Sequence, residues 1–251
     1  IEKLISKYID VFMLIEANNQ KYSFKTGEYD LVIQGINSLM NDVLTCDNLM
    51  PYAKQYYSIN KNNSEWLSVA AATFFAKCEN SPMFGSIALE LHKVKPTSKS
   101  AFYLGSYNLN TSNQDKAIEY FTESASLATD KLEKANTCYT IASIVSLSDK
   151  AKSKEMTLTA IENNPSNGAY YIFLANLYAN AANECATNEN EKRAIYKLAS
   201  NTVLKAAQVE PRLKQTADSR SKEYLKNVVF DAKTKQKPVK LGCWINQTVQ
   251  L

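Results

Sequence analysis

The stretch GAYYIFLANLY, Gly168 to Tyr178, decides the fold, because its residue types repeat a spacing found elsewhere in the second half of the chain. Tyr171, Leu174, Ala175 and Tyr178 supply a large aromatic, a leucine, a small residue and a tyrosine. A two-helix unit of about 34 residues needs those types at those places. Pro165 and Pro211 fall where the second helix of such a unit ends. Counting back from Pro165, the preceding unit opens near Lys134 and the next near Gly168. One unit earlier, Leu104 and Gly105 form the leucine–small pair, with Ala117 and Phe121 on the partner helix. The small residues let two antiparallel helices approach, and the bulky ones fill the space between neighbouring hairpins. The pattern is strong in the first and third of these units. It is weak in the middle one, where Thr157 stands in place of an aromatic.

Apolar residues at helical spacing run almost throughout the chain. A first helix, Ile1 to about Asn18, has Leu4, Ile5, Tyr8, Ile9, Phe12 and Ile15 on one face. A second follows Gly27 and carries Leu31, Ile33, Ile36, Leu39, Met40, Val43 and Leu44. Cys46-Asp47-Asn48 then breaks the helix, with Asp47 or Asn48 as the cap of the next one. Pro51 lies in the first turn of that helix, where its missing N–H has no partner to lose. Asn60 to Ser64 reads as a polar turn, with Ser64 capping a helix from Glu65 to about Lys77. Ser81-Pro82 starts another that ends before Pro96. Further helices are expected near 98–110, 114–128, 131–147, 150–163, 168–183, 190–209 and 212–229. Pro165 and Pro211 lie 46 apart, longer than the period, which places an insert at 182–191. The expected organisation is divergent hairpins over 1–97, repeats with the insert and a capping helix over 98–229, and a tail over 230–251. Leu241 to Ile245 is expected to fold back onto the last helices and bury the Trp244 ring.

Six glycines, six prolines and no alternating strand pattern point to an all-helical chain. The longest apolar run, Ser68 to Ala76, is too short to span a bilayer. Residue 1 is isoleucine and Leu251 falls in an ordered-looking stretch, so a removed leader and further residues at both ends are expected. Charge is uneven: residues 1–130 hold 11 Lys/Arg against 14 Asp/Glu, and residues 131–251 hold 18 against 11. The excess concentrates between Arg212 and Lys240. A basic end suits nucleic acid, anionic headgroups or an acidic partner. Here the lysines alternate with Gln, Thr and Asp, without the aromatic interleaving of a single-strand groove. A solvated helix and tail is the plainer reading, and no nucleic-acid partner is expected.

Chemistry finds little to build on. A single histidine, His92, would have to serve any triad, and no triad pattern surrounds it. No phosphate-cradling glycine loop and no CxxC pair is present. Glu189 and Glu191 sit in the polar insert and read as solvated. No catalytic residue, metal ligand, cofactor or small-molecule substrate is therefore assigned. The 15 tyrosines read mostly as packing residues.

The repeat resembles the tetratricopeptide repeat, which implies a right-handed all-α solenoid of antiparallel helix hairpins with a capping helix and a short C-terminal tail. At its groove positions stand Lys99, Phe102, Tyr103 and Ser106, then Cys138, Tyr139 and Ala142, then Ile172, Phe173 and Asn176. Such a surface suits an extended or helical protein segment with apolar anchors. The same aromatics are equally compatible with packing against neighbouring helices. Co-chaperone repeats that hold a Glu-Glu-Val-Asp terminus need a Lys/Asn/Arg clamp. The matching positions here are Phe102, Ser106, Tyr139, Ala169 and Phe173, so that function is rejected.

More specifically, the chain resembles envelope-associated tetratricopeptide proteins of the Bacteroidota. The shared marks are Cys46-Asp47-Asn48-Leu49, the Cys78 to Phe84 segment, Ala101 to Gly105, Glu191-Lys192-Arg193-Ala194 and Gly242-Cys243-Trp244-Ile245. The resemblance implies export, a periplasmic or outer-membrane location and envelope-protein partners. Contact with the membrane would come only through partners or an N-terminal anchor. The rival reading is a cytosolic adaptor whose basic end meets an acidic protein or RNA.

Five cysteines bear on that choice: Cys46, Cys78, Cys138, Cys185 and Cys243. The predicted hairpins put Cys46 and Cys78 at one end of a helix pair, and Cys185 of the insert beside the start of the tail with Cys243. Cys138 falls inside a helix without a mate. Two disulfides and one buried thiol suit an oxidising compartment. Five reduced, mostly buried cysteines suit the cytosol.

Overall fold

Short polar side chains start most of the helices by accepting the free N–H groups of the first turn. A computed structural model describes residues 1–22, 30–228 and 237–251. Gly27 and tail residues 230–236 lie outside the described residues. The described chain divides into two units, Ile1–Ala128 and Thr129–Leu251.

In the first unit, α1 (Glu2–Tyr22) and α2 (Asp30–Met40) precede α3 (Cys46–Asn60) and α4 (Ser64–Cys78). Then come α5 (Pro82–Val94), α6 (Ser98–Asn110) and α7 (Gln114–Leu127). Two caps fall one residue or more before their expected places. Thr45, in extended backbone, caps α3 in place of Asp47 or Asn48, and the Asn48 amide instead donates to the Val43 carbonyl. Asn63 caps α4 by accepting from Trp66 N at 3.0 Å, which makes Ser64 the first helical residue. Ser81 caps α5 with Pro82 in its first turn. The core runs from Ile5 and Ile9 through Leu49, Leu67 and Phe74 to Phe84, Ile87 and Leu104. Trp66 donates its indole N–H to Tyr52 OH at 3.3 Å, so its one polar atom is satisfied inside. Gly105 is required by close approach: a Cβ there would lie 2.7 Å from the Phe121 ring. Cys46 and Cys78 stand at disulfide-bonding distance, with Cα atoms 5.1 Å apart.

The second unit begins with the hairpin of α8 (Lys131–Ile144) and α9 (Lys150–Asn163). The Ser153 hydroxyl donates to the Ala142 carbonyl at 2.8 Å and pins α9 to α8. Thr157 is fully buried and returns its hydroxyl to the Ser153 carbonyl, so a compact polar residue fills the place of the missing aromatic. Next come α10 (Gly168–Asn180), the single turn α11 (Ala182–Cys185) and α12 (Glu189–Val209). The insert thus holds α11 and the start of α12, which Asn188 caps. A 3-10 turn, Pro211–Leu213, leads to α13 (Lys214–Leu225), held to α12 by a buried Ser200–Ser221 hydroxyl pair at 2.9 Å. α8, α10 and α13 end three or four residues before their expected limits.

The tail folds back on this unit, as an antiparallel hairpin that the sequence reading did not foresee. β1 (Pro238–Leu241) pairs with β2 (Gln247–Gln250), Val239 facing Val249 and Leu241 facing Gln247. Alternation sends Leu241, Val249 and Leu251 into the core, together with Ile245 from the turn. Trp244 is half-buried and stacks on Tyr178 with ring centroids 6.1 Å apart. Gln247 donates to Tyr178 OH at 3.2 Å, and Lys154 Nζ donates to the Ile245 carbonyl at 2.6 Å. Burial holds the Lys154 ammonium below the ordinary lysine range. Cys185 and Cys243 stand at disulfide-bonding distance, Cα atoms 5.5 Å apart, while Cys138 is a buried free thiol. Among the described residues no helix is long and apolar enough to cross a membrane.

Candidate protein-binding surface

The first helix of each repeat hairpin supplies the residues assigned to binding, and each unit treats them differently. On α6, Lys99 is exposed and Phe102 half-buried, its ring 5.2 Å from Phe121 and 6.0 Å from Phe75. Tyr103 and Ser106 are only 4% and 9% exposed. They belong to the core and offer nothing to a partner, because the helix turns that face against α4 and α5. Tyr103 packs its ring on Phe75 and Phe84.

The second unit presents a better-formed surface. Tyr139 of α8 meets Tyr170 and Phe173 of α10, with ring centroids 4.9 and 5.3 Å apart. Tyr139, Ile172 and Phe173 are each partly exposed. Tyr170 OH donates to Asn136 Oδ1 at 2.9 Å. Burial raises the Tyr139 and Tyr170 phenols above the usual tyrosine range. Asn176 is already engaged: its Oδ1 accepts from Arg220 at 2.8 Å and from Tyr224 OH at 2.7 Å. It holds α13 against α10, and half-buried Arg220 brings positive charge to that side of α10. The assigned residues Tyr139 and Phe173 thus come together, while Ile172, next along α10, packs on the core of the second unit. Asn136 and Tyr170 adjoin them without having been singled out. The Asn136–Tyr170 spacing of 34 residues was a readable signal, one repeat length.

Two arrangements resemble chemistry. His92 Nδ1 lies 2.9 Å from Ser100 Oγ and its Nε2 lies 3.2 Å from Glu123 Oε1, a serine–histidine–carboxylate line that the sequence reading did not anticipate. Ser100 is fully buried, and its hydroxyl forms the capping box of α6 with Thr97. A nucleophile out of reach of substrate has nothing to attack. The line ties α5, α6 and α7 together. Among the described residues, Glu184, Cys185 and Cys243 bring metal-type ligand atoms within 4.8 Å of one another. The two sulfurs stand at disulfide-bonding distance and Glu184 pairs with Lys150, the arrangement of a disulfide beside an ion pair.

No protein-family model matches the chain, and no curated protein does. Solved structures do. A crystal structure of the MamA protein matches with a TM-score of 0.54 at 17% identity, covering 76% of this chain and 96% of that one. A second MamA crystal structure matches with a TM-score of 0.53 at 17% identity, covering 67% of this chain and 91% of the other. The fold is a tetratricopeptide-like helical repeat. At this identity the likeness speaks for the fold alone.

Proposed function

We propose that this chain is a non-enzymatic scaffold that holds an extended or helical segment of a partner protein. Its place would be the bacterial periplasm or the periplasmic face of the outer membrane, as an accessory subunit of a larger envelope complex. The observation that carries the binding role is the partly exposed Tyr139–Phe173 ring pair on a tetratricopeptide-like fold. Partly exposed aromatics anchored at their edges give large apolar contact with little side-chain entropy left to lose. Arg220, held by Asn176 one turn farther along α10 than Phe173, favours a segment with at least one acidic residue. The two cysteine pairs at bonding distance support an oxidising compartment.

The test is co-purification from the native cells with the Tyr139→Ala/Phe173→Ala double variant beside the parent. Loss of specific envelope partners from a variant that melts like the parent supports the reading. Retention of every partner overturns it for this surface.

A further inference from the structure

Arg220 spends its hydrogen bond on a neutral partner. Its guanidinium donates to Asn176 Oδ1 at 2.8 Å, and among the described residues no carboxylate pairs with it. Its neighbours in sequence differ: Arg212 pairs with Glu210 and Lys214 with Asp218. Helix α10, which the guanidinium meets, has no charged residue from Gly168 to Asn180. The charge of Arg220 is therefore not cancelled where it lands.

The hydrogen bonds fix which way the amide faces. An arginine can only donate, so the atom that meets it is the amide oxygen. That oxygen also accepts from Tyr224 OH at 2.7 Å, which occupies its second lone pair. Asn176 keeps its N–H groups, and Arg220 keeps most of its own. Both side chains are half-buried, while Tyr224 is 7% exposed. What the cluster has left to offer is N–H donors and one positive charge. A carboxylate in place of the Asn176 amide would accept the same two bonds and neutralise the guanidinium. That would be the stronger union if joining α13 to α10 were the whole task. One charge in a planar fork matches a carboxylate in charge and shape. Phe173 stands three residues before Asn176, and positions three apart on a helix are surface neighbours. A carboxylate held there lies within a turn of the Tyr139–Phe173 ring pair.

We propose that Asn176 and Arg220, braced by Tyr224, form a carboxylate site. The partner segment then carries an apolar side chain for the Phe173 ring and a carboxylate within about four residues of it. This rests on the reading that the Tyr139–Phe173 surface binds a partner segment. An acidic side chain and a free chain terminus supply the same group.

The probe is an array of short random peptides, half amidated and half with a free C-terminal carboxylate, exposed to the whole labelled chain. Retained peptides are expected to combine an apolar residue with a nearby carboxylate. Enrichment of Asp and Glu in the amidated half supports an acidic side chain, and enrichment of free-acid peptides alone supports a chain terminus. Asn176→Asp fills the site with the protein's own carboxylate while keeping both hydrogen bonds. It is expected to melt no lower than the parent and to weaken the retained peptides about tenfold or more. Arg220→Gln, which keeps a donor for Asn176, is expected to weaken them comparably, and added salt to weaken their binding to the parent. Retained peptides with no preference for acid, or a preference unmoved by Asn176→Asp, overturn the carboxylate site and leave the ring-pair surface standing. Retention unmoved by Tyr139→Ala/Phe173→Ala overturns that surface instead, and retention of no peptide overturns both. If Arg220→Gln misfolds, Asn176→Asp and the salt dependence decide.

Discussion

Glu210, just past the end of α12, accepts the backbone N–H of Gly168 at 2.9 Å, so the end of one helix caps the beginning of its partner. The approach leaves no room for a side chain. A Cβ on Gly168 would lie 2.5 Å from a Leu213 methyl and 3.0 Å from both the Ala206 carbonyl and Glu210. The leucine can rotate and the carbonyl cannot. Gly168→Ala is expected to cost about 1–3 kcal/mol, as overpacking does. Urea unfolding measures it, and a change under about 0.5 kcal/mol would show that the hairpin opens to admit a methyl.

Acid sensitivity follows from three carboxylates. Lys150 holds Glu184 below the ordinary glutamate range, the N–H and hydroxyl of Thr187 do so for Glu191, and Arg212 with the Gly168 N–H does so for Glu210. A carboxyl that ionises more readily in the folded state contributes stability above its unfolded pKa, about 4.3, and loses it as pH falls through the folded value. The melting temperature is expected to hold from neutrality to about pH 4.3 and to fall below it. Glu210→Gln and Glu184→Gln should flatten that fall, and added salt should shrink it. A melting temperature that instead rises on acidification contradicts the assignment.

Trp244 stacks on Tyr178 and covers the end of the second core. Because the ring is only half-buried, Trp244→Ala is expected to cost about 2 kcal/mol rather than the full value of a core aromatic. Thermal melting of the isolated chain checks this. Unchanged stability with lost partner binding would move Trp244 from packing to recognition.

The cysteines give a direct chemical count. Alkylation of denatured, unreduced protein from its own cells is expected to label one thiol, Cys138, and after reduction all five. Cys185→Ser/Cys243→Ser opens a link spanning 58 residues and is expected to cost about 2–4 kcal/mol. Five labels without reductant would remove the support for an oxidising compartment.

Much of the helical architecture was legible, because small and large residues at repeat spacing encode specific contacts, such as Gly105 under Phe121. Caps were legible only to within a residue or so. Thr45 and Asn63 precede equally suitable side chains, and the choice rests on backbone geometry. The repeat pattern marked Tyr103 and Ser106 as groove residues but could not show that α4 and α5 bury that face. The hairpin of the tail was hidden for another reason. Its strands are four residues each and gain their stability by covering Tyr178 and Ile195, which local sequence does not reveal.

The tail's attachments also set an order of events during synthesis. Lys154 reaches Ile245 across 91 residues and Gln247 reaches Tyr178 across 69. The first unit has all its internal contacts once Ala128 has emerged from the ribosome. The second waits for residues 238–251, and until they arrive the apolar sides of α10 and α12 that they cover stay open to solvent and to other chains. A premature stop ahead of Pro238 would therefore leave a product whose second unit is unfinished and sticky, a natural substrate for chaperones and proteases.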